Sequence, residues 1–214
     1  SLTKYISGHG NVLGGAVIDT GLFNWKGFGN IKSAYQVADE AQWGLTQIKK
    51  KGLRDLGATL APQSATAIAL GMETLSLRLA RACENSQKLA MFLDNHPKVK
   101  HVFYPGLASH PQHFMAREQL KRGYGAILSF TLVDDIDPVQ FLNALELVIR
   151  ATHLGDNRTL ALPVAPTIYF ENTAEEREAM GVSDTMIRIS VGIEDTDDLI
   201  NDFTNAFDRK YAAE

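Results

Sequence analysis

What this sequence lacks narrows it quickly. One cysteine, Cys83, stands among 214 residues. An internal disulfide is thereby excluded, and a reducing, cytoplasmic setting is expected. Cys83 lies in LARACENSQKLA, a helical-looking stretch in which burial rather than reactivity is its expected fate. Basic blocks are absent: the net charge is −4, and the lysine run of QIKKKG reads as a solvated face. Nucleic acid and anionic membranes are therefore not expected partners. Apolar runs such as AILSF and LALPVA fall far short of the roughly 20 residues that cross a bilayer. Internal repeats and low-complexity tracts are missing as well.

What is there suits an ordinary folded protein, with 45% apolar and 21% charged residues in a length that allows one large domain or two small ones. GNVLGGAVIDTG reads as a turn and a short apolar strand, and DEAQWGLTQIKKKGLRDLG as a helix broken at Gly44 and Gly52. From Ser64 the pattern strengthens. Ile68, Met72, Leu75, Leu79, Ala82, Leu89 and Leu93 recur at spacings that place them on one helical face, opened by Pro62 and Ser64 and closed by Asn95-His96-Pro97. One unbroken helix of about thirty residues, about 45 Å long, is expected to join two domains. Beyond it, VKHVFY, GAILSFTL and MIRISVGIE read as strands. SHPQHFMAREQLKRG (capped by Ser109, with Pro111 in its first turn), DPVQFLNALELVI (opened by Asp137 and Pro138) and DTDDLINDFTNAF (capped by Asp195 or Thr196) read as helices. The expected fold class is α/β.

The opening, SLTKYISGHGNVLGG, carries the chemistry. A lysine amine becomes a covalent catalyst by condensing with an aldehyde, and pyridoxal 5′-phosphate (PLP) is the commonest biological aldehyde used so. Ser1 and Thr3 beside Lys4 supply hydroxyls for its phosphate. Taken alone, the same tetrapeptide is also an ordinary polar turn. His110 and His113, three apart in SHPQH, with His101 upstream, raise the alternative of a metal, but no cysteine or carboxylate cluster accompanies them, so none is expected. Met72, Leu75 and Leu79 are expected in the core, and EDTDDL complements a helix N-terminus.

In its context the opening resembles the cofactor-lysine segment of the Cys/Met-metabolism (transsulfuration) family of PLP-dependent enzymes, the cystathionine γ-synthase, methionine γ-lyase and O-acetylhomoserine sulfhydrylase group. GATLAPQSATAIALGMETLSLRLARACENSQKLAMFLDNHPKVKHVFYPGLASHPQH resembles that family's linker helix and the start of its C-terminal domain, and LGDNRTL and IRISVGIEDTDDLI its later segments. The resemblance implies a fold-type I PLP-transferase. It divides the chain into the remnant of the PLP-binding large domain (1–60), the linker helix (61–96) and the C-terminal α/β domain (97–214). It implies PLP as cofactor, with Lys4 as the Schiff-base lysine and proton shuttle and Ser1 and Thr3 on the phosphate. Arg188, in MIRISVG, would clamp the substrate α-carboxylate. The implied reaction is γ-elimination or γ-replacement on a sulfur amino acid or homoserine ester.

His153 stands where the family carries serine or asparagine, which help hold that carboxylate and fix the lysine region; His153 is placed with the substrate-binding residues on that ground. LPVAPTIYFE likewise departs from the family's His-Pro-Ala-Ser-type run, whereas LGDNRTL leans towards the methionine γ-lyase and sulfhydrylase branches. The family lysine sits mid-chain, so an N-terminal half of the same enzyme is an expected partner, within a homotetramer. Residues 1–214 by themselves are expected to bind the cofactor poorly and turn over nothing, since the ring-nitrogen carboxylate, stacking aromatic and phosphate cup precede the lysine in the family. The alternative of a different class is a non-catalytic assembly module.

Overall fold

The computed structural model describes residues 1–209. Residues 3–7 form a tight turn carrying Lys4, and extended chain follows. The strand expected at 16–19 does not form: Val17 and Ile18 are 70% and 87% exposed. A strand needs a neighbour for its N–H and C=O groups, and none among the described residues pairs with this segment. After two short 3₁₀ turns, α1 (Trp43–Gln47) runs straight into wide helical turns over Ile48–Asp55, so Gly44 and Gly52 do not break it. Gly44 is there for packing, since a Cβ would sit 2.4 Å from the Trp25 ring.

The long helix is two. α2 (Pro62–Glu73) ends and α3 (Leu75–Asp94) begins at Thr74, whose φ −104°, ψ 5° leaves the helical region. The cause is local. Gly71 lies against the lysine turn, its added Cβ only 2.2 Å from Ser7 O, and its own carbonyl accepts Arg78 Nη2 at 2.6 Å. The Arg78 Nε donates to Thr74 Oγ1 at 3.0 Å. The expected apolar face is corrected accordingly. Met72 is exposed and Leu75 and Leu79 only half-buried, while Arg78, Ala82, Leu89 and Leu93 face inward.

From Pro97 the chain builds β1 (Val99–Phe103), α4 (His113–Gln119), β2 (Ile127–Leu132), α5 (Pro138–Ala144), β3 (Ile149–Arg150), β4 (Leu160–Pro163), α6 (Ala174–Ala179), β5 (Met186–Ser190) and α7 (Thr196–Asp208). The sheet order is β1-β2-β5-β4-β3, antiparallel except for the β3–β4 pair. Asp137 and Asp195 cap α5 and α7 as expected, accepting from Gln140 N and Asp197 N. The α4 helix starts later than Ser109 and Pro111 suggest, with Gln112 at its N-cap making no side-chain bond. The end of DPVQFLNALELVI is not helical: the chain leaves α5 after Ala144 and reaches β3 at Ile149, and β4 and the capping box of α6 (Thr173 with Glu176) were not read from the sequence.

Alternation sorts the sheet into two faces. Leu128, Phe130, Ile187 and Ile189 lie in a core with Leu89 and Leu93 of α3, Phe141 of α5, and Phe203 and Phe207 of α7. Phe141 and Phe207 pack as tilted rings with centroids 4.6 Å apart. Burying such a ring is worth about 1.5–3 kcal/mol, so this layer fixes the sheet. Positions of opposite parity, including Arg188 and Ser190, belong to the face that receives the lysine turn.

Candidate active site

Three pieces of chain meet at Lys4. The first is its own turn, closed by Ser7 N on Leu2 O (3.0 Å), Gly8 N on Lys4 O (2.8 Å) and the buried Ser7 hydroxyl on Thr3 O (2.9 Å). The second is α3, whose Arg78 donates to Tyr5 O at 3.0 Å and Ile6 O at 3.3 Å. Arg78 is buried among carbonyls with no carboxylate paired to it among the described residues, and burial holds its guanidinium below the usual arginine range. The third is the loop 153–158. Its Asn157 N donates to Gly8 O at 2.9 Å, and Gly155 N donates to Ser190 Oγ of β5 at 2.8 Å. Gly155 has φ +75°, and a Cβ there would sit 2.6 Å from Tyr5 N, so no side chain fits between loop and turn. Asp156, buried in the same loop, is gripped by Arg158 Nε and Nη2, each at 2.9 Å. Burial pushes its carboxyl up, but the Arg158 bonds and charge outweigh this and hold it below the ordinary range.

This framework sets Lys4 Nζ 3.1 Å from His153 Nδ1. Burial, and then the Lys4 cation, keep His153 below the ordinary imidazole value. Arg188 on β5 reaches the same loop, its Nη2 donating to Thr152 O at 2.9 Å and His153 O at 3.4 Å. Among the described residues no carboxylate pairs with Lys4 or Arg188. Four polar atoms here are buried without a partner: Arg188 Nε, His153 Nε2, the Tyr5 hydroxyl and Asn157 Oδ1. Burial raises the Tyr5 phenol, with Ser190 and Arg188 offsetting it only in part. An amine beside orphaned donors, in a place already partly desolvated, is suited to holding an anionic polar ligand.

Lys4, His153 and Arg188 thus come together from positions far apart in sequence. Ser1 is exposed. Thr3 Oγ1 accepts from Gly14 N at 2.9 Å and donates to Gly14 O at 3.2 Å. The three histidines weighed as metal ligands serve backbone or lie outward: His113 Nδ1 faces Pro105 O at 2.8 Å, and His110 Nδ1 accepts from Gln112 N at 3.2 Å. Among the described residues no three His, Cys, Asp or Glu side chains cluster as metal ligands. Cys83 is half-buried, and burial pushes its thiol up.

The sequence profile of the Cys/Met metabolism PLP-dependent enzymes matches residues 1–208. The chain belongs to this family. Over its full length it is 38% identical to the sulfhydrylase FUB7 of Gibberella moniliformis, covering 52% of that protein. It is 39% identical to the L-methionine gamma-lyase of Fusobacterium nucleatum subsp. polymorphum, with 98% of this chain and 48% of the lyase aligned. A crystal structure from Campylobacter jejuni, provisionally named an O-acetylhomoserine (thiol)-lyase and carrying a pyridoxyl-lysine monophosphate adduct, superposes with a TM-score of 0.85. It is 33% identical, across 98% of this chain and 53% of its own. The chain spans about half the length of the relatives it matches. The fold is that of fold-type I PLP-transferases, and the family is PLP-dependent.

As a member of the Cys/Met-metabolism family the chain shows a site whose support was only half legible. Arg78, Gly155 and Asp156 position Lys4 and His153, and none was singled out from the sequence for that role. A signal existed for Arg78: a charged residue one helical turn before Ala82, on the face that Leu89 and Leu93 continue.

Proposed function

We propose that the intact protein is a PLP-dependent enzyme that eliminates or replaces the γ-substituent of a sulfur amino acid or homoserine ester, with Lys4 as its reactive amine. The observation that carries this reading is the Lys4 amine, without a carboxylate among the described residues and 3.1 Å from His153 Nδ1, beside an arginine whose Nε is buried and unpartnered. The names of its relatives, sulfhydrylase and methionine gamma-lyase, support the substrate class.

The residues fit the cofactor at the amine end. Lys4 Nζ would hold its aldehyde carbon, and the Ser1 hydroxyl is open to a phosphate. Thr3 can keep Gly14 N–H on its lone pair while swinging its O–H from the longer Gly14 bond to a phosphate oxygen. When bound, PLP supplies an electron sink for the pair left behind by a departing α-proton. Lys4 Nζ takes that proton, then moves one at the β-carbon as the γ-substituent leaves. Arg188 binds and orients the α-carboxylate, its free Nε providing one of the two parallel donors such a group accepts. His153 Nε2 is a further donor for that carboxylate.

The same proposal includes the three-part division at 1–60, 61–96 and 97–214, an N-terminal half completing the site, a cytoplasmic location and a homotetramer. The exposed Leu13, Val17, Ile18 and Leu22 support an assembly that covers them. Borohydride reduction of the intact holoprotein, followed by peptide mass mapping, is expected to leave the reduced adduct on Lys4. An adduct elsewhere on a fully active protein would sink the reading. Product mass analysis with methionine, cystathionine and O-acetylhomoserine then separates elimination from replacement.

A further inference from the structure

We propose that His153 is a positioning residue that gates Lys4 through its own proton. Neutral, it offers Nδ1 as acceptor for a Lys4 N–H; protonated, it presents an N–H and a second cation at that spot and releases the amine. The inference rests on Lys4 being the reactive amine of the proposed function, and it assigns His153 a role beyond holding carboxylate.

The geometry is specific. Nδ1 lies 3.1 Å from Lys4 Nζ, and among the described residues the amine has no other polar partner. An ammonium carries donors only, so the contact requires a lone pair on Nδ1, which places the neutral ring's proton on Nε2. Nε2 is buried with no partner, and His153 is anchored through its backbone carbonyl to Arg188 Nη2. The backbone that carries the ring is thereby tied to the β5 arginine. A serine or asparagine at this position would also accept from the amine, but neither titrates near neutrality.

The charged groups around the ring act mostly in one direction. Lys4 on the turn and Arg158 on the ring's own loop oppose its protonation, and burial exceeds both, while Asp156 alone favours it. Asp156 is already committed to Arg158 through three bonds, two from the guanidinium and one from the backbone N–H. Arg188 on β5 adds a further cation beside the loop, and Tyr5 on the turn remains neutral because burial raises its phenol. His153 thus holds the amine in its working position at neutral pH and releases it, with loss of activity, on the acid side of the ordinary imidazole value.

The test uses the intact protein labelled with ¹⁵N-histidine, the His153 ring signal being identified by its loss in His153→Asn. A neutral ring protonated on Nε2 is expected at pH 7.5, with a titration that moves to higher pH in Lys4→Met. In the loaded enzyme, kcat/KM is expected to fall about tenfold per pH unit on the acid side, and to lose that limb in His153→Asn. Should that variant not fold, His153→Gln makes the same comparison. An Nδ1–H ring, or a titration unmoved by Lys4→Met, overturns the gate. A borohydride adduct on Lys4 with an unchanged acid limb in the variant overturns the gate alone; an adduct on another lysine overturns both gate and proposed function.

Discussion

Arg188 and Lys4 do opposite kinds of work at the level of single residues. Lys4 meets one ring through its amine, whereas Arg188 is fixed through Nη2 to two backbone carbonyls and keeps a buried, unpartnered Nε. Arg188→Lys keeps the charge but loses the fork, and a charge-assisted hydrogen bond is worth about 1.5–3 kcal/mol. Steady-state kinetics of the intact enzyme should therefore show KM for the amino-acid substrate rising by about 10–100-fold, with kcat falling less. A variant with unchanged KM removes Arg188 from the carboxylate. Both residues were singled out as candidates from their motifs. His153 was read as a departure from the family pattern, but its contact with Lys4 was not legible, because 149 positions of chain separate the two.

Among the elements, the break at Thr74 explains how the lysine turn is held. Two helices meeting there allow Arg78 to turn back and fill three carbonyls, those of Tyr5, Ile6 and Gly71. Arg78→Met keeps the apolar stem and leaves these acceptors unmatched in a buried place. The loss is on the order of 3 kcal/mol, read as a lower urea midpoint. An unchanged midpoint would show that water replaces the guanidinium without cost. Gly155→Ala attacks the same turn from the loop side. With φ +75° and a contact of 2.6 Å to Tyr5 N, it is expected to destabilise by about 1–3 kcal/mol and to weaken cofactor retention. Dialysis against buffer, followed by absorbance of the remaining cofactor, measures the second effect.

For the whole molecule the consequence is a stability that depends on acid. His153 and His96 both protonate below the ordinary imidazole value of about 6.5. Burial is the first cause in each, followed by Lys4 for His153 and Lys98 for His96. His96 is also stacked on Phe207, centroids 3.8 Å apart. The unfolded chain binds these protons first, so the stability they support is complete above about pH 6.5 and is lost as pH falls through the folded-state values. Urea midpoints at pH 7.5, 6.5 and 5.5 should decline in that order. His96→Gln should flatten part of the decline, and a midpoint rising towards pH 5.5 would contradict the assignment.

The periodic segments were legible because their information is local. Alternation in GAILSFTL and MIRISVGIE, and the spacing of Leu199, Phe203 and Phe207 in the closing helix, each follow from a side chain's direction on its own backbone. Asp137 and Asp195 announced their caps for the same reason, since a carboxylate reaches only the next turn. The lysine, its flanking hydroxyls and the β5 arginine were singled out as candidates from residue order alone. Where the helix breaks, which glycines serve packing, whether 16–19 finds a strand partner and which ring meets the Lys4 amine were decided only in three dimensions. Each depends on contacts between segments distant in sequence, and those contacts outweigh a residue's local preference wherever a carbonyl or an amine is left buried without its partner.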